Sequence, residues 1–446
     1  MLIERIGPMD LTVLAADRGA VPTNLGVILM FDGPGPEPAE LLKLLCARTL
    51  RIPRFRQVLC ATPIGCGRPV WVDDPSFTVD RHFQVFDRPG DDVLGVAASL
   101  LCRPLDPRRP LWRAVLVTGR DRHALILVVH HVVADGVGGL AALAALADEW
   151  PSTGPCRPFP LRAPSARELA SDAARARVRA LRSLPGDLQH ALAGLRELGI
   201  VRVRPQRTEQ ISWVRPTSGR RGLAYTTVAL DQVVAAAHRH GGTVNDVVLG
   251  AITGAMVTVL RARGEYPRQL VVSVPVSGRP SAGPDRLGNS TGIRPIAVPA
   301  IADDEGRLAA IVAATRQQRS STVRAASAGP LGAVFRTLAH TGLLRVFIDH
   351  QRLVHTFETN LRGPDAALHL AGHRIGELVP MVATPGNTGA TFAALSYAGA
   401  LTVTVIADPV IAPEYDALAA AAHEVFTVLA SESIAGRKNL YQEART

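Results

Sequence analysis

The stretch Leu125-Ile-Leu-Val-Val-His130-His131-Val-Val-Ala-Asp135-Gly136-Val-Gly-Gly139 leaves a folding chain few options. Its first five residues are apolar and rich in β-branched side chains, which predicts a buried strand. Two histidines stand where that strand ends, and Asp135-Gly136 suits a sharp turn. After Gly139 the sequence Leu-Ala-Ala-Leu-Ala-Ala-Leu-Ala favours a helix, so the unit is strand, corner, helix. Neighbouring strand side chains point to opposite faces, so only one of His130 and His131 can face a given cavity. An imidazole at such a corner accepts a proton near neutral pH, because its ordinary pKa is about 6.5. Asp135 is poised to face inward, where an unpaired charge is costly. The arginine-rich run Arg51-Ile-Pro-Arg54-Phe-Arg56 offers Arg54 or Arg56 as its partner.

A chain of 446 residues is too long for one compact core and predicts two domains, for which 47% hydrophobic residues suffice. The formal charge is +10, carried almost wholly by arginine, since Lys43 and Lys438 are the two lysines. No basic-aromatic interleaving accompanies that charge, which argues against nucleic acid and leaves attraction to anionic membrane surfaces open. Five cysteines without a CxxC pair argue against a disulfide framework. The N-terminus lacks an apolar signal core, so a cytoplasmic location is expected.

Along the chain, strands are expected at 24–32, 69–73 and 79–86 and from Trp112 onward, with helices at 37–52 and 91–102. Prolines 151, 155, 158, 160 and 164 mark a linker, followed by an arginine-rich surface helix over 163–198 that includes Arg175, Arg179 and Arg182. A strand near 222–229 and a helix at 230–240 come next. Thr243 then N-caps a long buried helix with Asn245 and Asp246 in its first turn. Helices at 303–325 and 329–346, a hairpin over 392–405 and a helix at 412–432 complete the pattern. The domains divide as 1–155, a basic helical linker 156–221, and 222–446.

His130-His131-x-x-x-Asp135-Gly136 resembles the active-site motif of the coenzyme A-dependent acyltransferases. Pro110-Leu111-Trp112, Asn245-Asp246-Val-Val, Val274-Pro275-Val-Ser, Gly288-Asn289 and Thr359-Asn360-Leu-Arg-Gly363-Pro364 narrow the likeness. Together they resemble the bacterial wax ester synthase/diacylglycerol acyltransferase family from about residue 8 to 432. Departures are Val132, where the family commonly has Ala, Thr359 for Ser, and few aromatics. The resemblance implies an α/β fold: two chloramphenicol acetyltransferase-like domains forming a pseudo-dimer with a tunnel at their junction. It implies an O-acyltransferase that moves a fatty acyl group from acyl-coenzyme A, a co-substrate, to a long-chain alcohol or diacylglycerol, with no cofactor and no metal. His131 is then the general base, flanked by His130 and Asp135. Gly136, Asn245 and Ser396 are candidates for binding the substrate or the oxyanion. Peripheral attachment to the inner membrane or lipid droplets would suit such substrates.

Other readings are weighed on the same residues. Gly288-Asn-Ser290-Thr-Gly292 matches the hydrolase elbow literally, but Pro295 and Pro299 preclude the helix that must follow. His238 and His240 point to different helix faces, and His369 and His373 lack ligand-like context, so no metal site is expected. A specialised acyltransferase that esterifies a secondary metabolite or polyketide alcohol, fed by an acyl carrier protein, is the alternative enzyme. A non-catalytic binding protein of the same fold is disfavoured by the intact motif.

Overall fold

The structure, a computed structural model, describes residues 3–17, 19–87, 92–119, 123–150, 158–179, 208–277, 287, 289, 291–320, 338, 341–382 and 386–443. Two six-stranded sheets dominate it. In chain order the first half supplies β1 (Asn24–Phe31), β2 (Gln57–Cys60), β3 (Val70–Asp73), β4 (Phe83–Asp87), β5 (Trp112–Thr118) and β6 (His123–His130). The second half supplies β7 (Gly222–Ala229), β8 (Gln269–Ser277), β9 (Thr291–Pro299), β10 (Thr356–Arg362), β11 (His369–Leu370), β12 (His373–Val382), β13 (Ala390–Tyr397) and β14 (Ala400–Ala407). The strand orders are β11-β12-β1-β6-β5-β4 and β7-β14-β13-β10-β8-β9, with β2 and β3 as a separate pair. The α/β fold with two sheet-centred halves is as expected. The first sheet nevertheless crosses the boundary placed at residue 222: β11 and β12 come from the second half, and β12 runs antiparallel to β1 along Leu25–Phe31.

β6 shows why its sequence is a continuous apolar run. Leu125, Leu127 and Val129 enter one core, with α1 (Pro8–Ala16), α2 (Pro38–Thr49) and α4 (Gly136–Leu146) around it. Ala124, Ile126 and Val128 enter a second core, shared with α3 (Val93–Cys102) and with Leu223, Ala393 and Ile406 of the other sheet. Both faces are buried, so alternation disappears. A helix described over 166–179, numbered α5, packs Leu169 against Cys66 and Val70 and ties Asp172 to Arg5 at 2.6 Å, so this part of the expected linker is fixed to the first half. The rest of that segment, 180–207, including Arg182, lies outside the described residues, as does most of the helix expected at 329–346.

In the second half, α6 (Leu230–Arg239), α7 (Val244–Ala262), α8 (Asp304–Ser320) and α10 (Tyr415–Glu443) cover one face of the sheet, and α9 (Leu344–His350) precedes β10. Thr243 caps α7 as expected, in a reciprocal box with Asp246. Among the described residues α7 alone is long and apolar enough to cross a membrane, and 78% of its apolar window is buried inside the fold. It is a core helix.

Candidate active site

The chain turns at His130 because both flanking strands hold it there. The N–H of His130 donates to Leu111 O (3.0 Å) and that of His131 to Thr23 O (2.8 Å). Asp135 then caps α4, its Oδ1 accepting from Gly138 N at 2.9 Å. Gly136 opens the helix where a Cβ would lie 2.8 Å from the side-chain methyls of Leu361 of β10, so the two halves pack closely there.

The two histidines divide as strand alternation requires. His130 is buried, and its Nδ1 accepts from Val132 N (3.0 Å). The ring proton therefore sits on Nε2, which faces Asp17 Oδ2 at 2.9 Å and Thr23 Oγ1 at 3.3 Å. Asp17 Oδ1 also accepts from Thr23 N and Oγ1. Burial pushes the Asp17 carboxyl up, but His130 and Thr23 outweigh it and hold the group below the ordinary carboxylate range. With both ring nitrogens engaged, His130 buttresses the segment that carries Thr23 O.

His131 faces the other way, into a cavity of about 800 Å³ including its mouth. First-half residues Leu25, Val27, Leu127, Val129 and Leu140 line it, and so do Thr359, Leu361, Met381 and Leu395 from the second half. His131 and Thr359 are the polar side chains in a wall otherwise made of glycine, proline and apolar groups. Burial pulls the His131 pKa below the ordinary imidazole value, while its own carbonyl, Asp135 and Asn289 oppose that and His130 reinforces it. A neutral imidazole, ready to take a proton, is the result. Its Nδ1 is buried and has no partner of good geometry among the described residues.

Asn289 is the residue that motif reading underused. Its Nδ2 donates to His131 O (2.7 Å) and to Asp10 Oδ1 (2.7 Å), and its backbone N–H also donates to Asp10 (3.1 Å). Its Oδ1, like His131 Nδ1, is buried without a partner of good geometry among the described residues. An amide from the second half thus grips the main chain of the catalytic candidate and lies beside its ring. The G-x-S-x-G stretch around Asn289 leads into strand β9, not into a helix, so it is no nucleophile elbow.

Four expectations are corrected. Arg56 pairs with Asp73 (3.1 Å, both side chains buried), so it does not pair with Asp135. Arg54 is taken by Glu4 and by Gln57 Oε1, so it is not the partner either. Both arginines serve the β2–β3 corner. Asn245 accepts from Asn360 Nδ2 (3.1 Å) on the face of β10 opposite Thr359 and Leu361, away from the cavity lining. Ser396 sits one residue beyond Leu395 on β13, so its hydroxyl also leaves the cavity side.

Sequence profiles of the wax ester synthase/diacylglycerol acyltransferase catalytic domain and C-terminal domain match residues 6–248 and 287–430. The chain belongs to this family. A Mycobacterium tuberculosis protein named as a diacylglycerol O-acyltransferase is 30% identical over 409 residues, covering 86% of each chain. A Mycobacterium bovis protein, also named as a diacylglycerol O-acyltransferase, gives the same figures. Among solved structures, the wax ester synthase/diacylglycerol acyltransferase of Marinobacter aquaeolei superposes with a TM-score of 0.69 at 20% identity, over 96% of this chain and 98% of that one. The first condensation domain of the CDA synthetase gives 0.61 at 17% identity, over 96% of each chain. These two likenesses concern the fold. Within the family, Thr359 and Asn289 fall in stretches the motifs already mark, and the structure brings both to the His131 corner and its cavity.

Proposed function

We propose that this O-acyltransferase moves a fatty acyl group from acyl-coenzyme A to a long-chain alcohol or diacylglycerol, forming a wax ester or triacylglycerol. The observation that carries the proposal is His131, a half-buried basic group kept neutral in the wall of an otherwise apolar cavity of about 800 Å³. The acceptor hydroxyl gives its proton to His131 as its oxygen attacks the thioester carbonyl. The tetrahedral intermediate expels the thiolate of coenzyme A, which takes that proton back. Such general-base help is worth about a hundred- to ten-thousand-fold in rate. The oxyanion needs a donor, and Thr359 replaces Ser396 in that role because its hydroxyl is on the cavity side; the backbone N–H of Gly136 is the second candidate.

The substrates are poorly soluble, which favours work at a cytoplasmic membrane or lipid-droplet surface. Helix α5 supports this, since it buries Leu169 and Ala173 while exposing Arg175, Arg177 and Arg179. The test offers purified protein a panel of acyl-coenzyme A donors and one carrier-protein donor against hexadecanol, diacylglycerol and a short alcohol, with products identified by mass spectrometry. Ester from acyl-coenzyme A and the long acceptors is expected. Turnover confined to the carrier-bound donor would overturn the assignment in favour of a specialised-metabolite enzyme.

A further inference from the structure

A second concavity, of about 620 Å³ including its mouth, lies at the β4–β5 edge of the first sheet. Arg81, Arg103, Arg109 and Arg113 line it together with His82, and the acid among the lining residues is Asp106. Asp106 is shared between Arg108 at 3.0 Å and Arg109 at 3.7 Å. Four guanidinium groups therefore surround one space that holds a single, already divided carboxylate, which is costly unless an anion completes it. Arg113 marks the need most clearly. Its Nη2 donates to Pro104 O (3.2 Å), while its Nη1 is buried with no partner among the described residues. Burial and the nearby Arg103 both hold its pKa below the usual arginine range.

We propose that this basin binds a phosphate group, as a free anion or as part of a phosphorylated ligand. Planar guanidinium forks match phosphate oxygens in pairs, which favours phosphate over a simple halide. Exposed Arg81, Arg103 and Arg109 give access from solvent, and half-buried Arg113 forms the floor. The basin is separate from the His131 cavity but adjoins it through stacked rings. His82 lies on Trp112 at 4.6 Å and Trp112 on Phe55 at 5.0 Å, and Phe55 lines the apolar cavity. His82 donates from Nδ1 to Trp112 O (2.9 Å), so Nε2 is where it takes a second proton. Burial, with Arg109 and Arg113, disfavours that proton, and a bound anion reverses part of the penalty.

The test is titration calorimetry with inorganic pyrophosphate at low salt, paired with NMR of the His82 ring. Saturable one-to-one binding is expected, with a rise in the His82 pKa. Arg113→Gln and the exposed Arg103→Glu should each weaken it by about tenfold or more, whereas Arg362→Glu, on a distant surface, should not. Thermal melting confirms that each variant is folded. A monomeric short-chain phosphatidylglycerol forms the second arm. Binding of the lipid and not of pyrophosphate identifies a headgroup ligand, the reverse identifies a soluble phosphate, and both outcomes support the site. No saturable binding of either probe, or affinities that both basin variants leave within about twofold, would overturn it.

Discussion

Glu358 makes stability fall as pH rises, and the size of the effect can be worked out. It lies on β10 between Thr359, which faces the cavity, and Phe357, so its side chain points to the helix-covered face with Asn360. It is fully buried, and neither carboxylate oxygen has a hydrogen-bond partner among the described residues. Burial pushes its pKa from the ordinary 4.5 up to about 8. The folded protein therefore holds this proton up to about pH 8, whereas the unfolded chain releases it near 4.5. Below that lower value both states are protonated and nothing is lost. Between the two values stability falls steadily, and above the upper one the full penalty, roughly 5 kcal/mol at 1.36 kcal/mol per pH unit, is in place. Glu358→Gln keeps the shape but cannot ionise. Its amide costs about 1–3 kcal/mol at every pH, so the slope and not the level is diagnostic. Urea unfolding, followed by fluorescence of Trp213 in the core of the same half, should show the wild type losing about 4 kcal/mol relative to the variant between pH 5 and 9. Parallel curves that agree to about 1 kcal/mol across that range would refute the reasoning.

His131→Ala should lower kcat/KM by about a hundred- to ten-thousand-fold with an unchanged circular dichroism spectrum, and the wild-type acid limb should lie below pH 6.5 because burial disfavours the protonated ring. His130→Ala should cost about 1–3 kcal/mol in unfolding free energy through its lost contacts to Asp17 and Thr23, with a smaller fall in turnover. Asn289→Ala should reduce kcat roughly tenfold and move the acid limb downward, since Asn289 raises the His131 pKa, while Asn289→Asp should move it upward; an unmoved limb in both would deny the positioning role. Thr359→Val should lower kcat by about ten- to a thousandfold with KM little changed if its hydroxyl serves the oxyanion, and a change in KM alone would contradict that role.

The His-His corner was legible because its signals are local: an apolar run buried on both faces, an Asp-Gly turn that becomes the cap of α4, and a helix-forming tail. The element missed most plainly is β12. Gly376 and Pro380 within it argue against a strand beside other strands. Pro380 is tolerated because β11 pairs with β12 at His373 and Arg374 and not as far as Pro380, so no ladder bond with β11 requires its missing N–H. β10 was hidden for another reason, since Glu358 and Asn360 give it a polar pattern that does not announce burial. The partners of Arg54 and Arg56 depend on Glu4 and Asp73, which only the packing of the N-terminal segment and β3 brings near. Asn289 reaches His131 across 158 residues of chain, a contact no spacing rule encodes.

These contacts make the two halves unequal in chemistry although each has its own six-stranded sheet. The first half presents His131 and fixes its segment through Leu111, Thr23, His130 and Asp17. The second half has no His-His corner of its own, yet it is not idle. Asn289 grips the carbonyl of His131, Thr359 supplies the other polar group of the cavity, and β12 crosses over to pair with β1 along the same wall. Breaking the chain into separate domains near residue 222 would take β12 out of the first sheet and expose the edge of β1 beside the cavity. The shared strand therefore ties the integrity of the first half's core to the presence of the second. It also explains why a site built on one local motif draws its walls from most of the length of the chain.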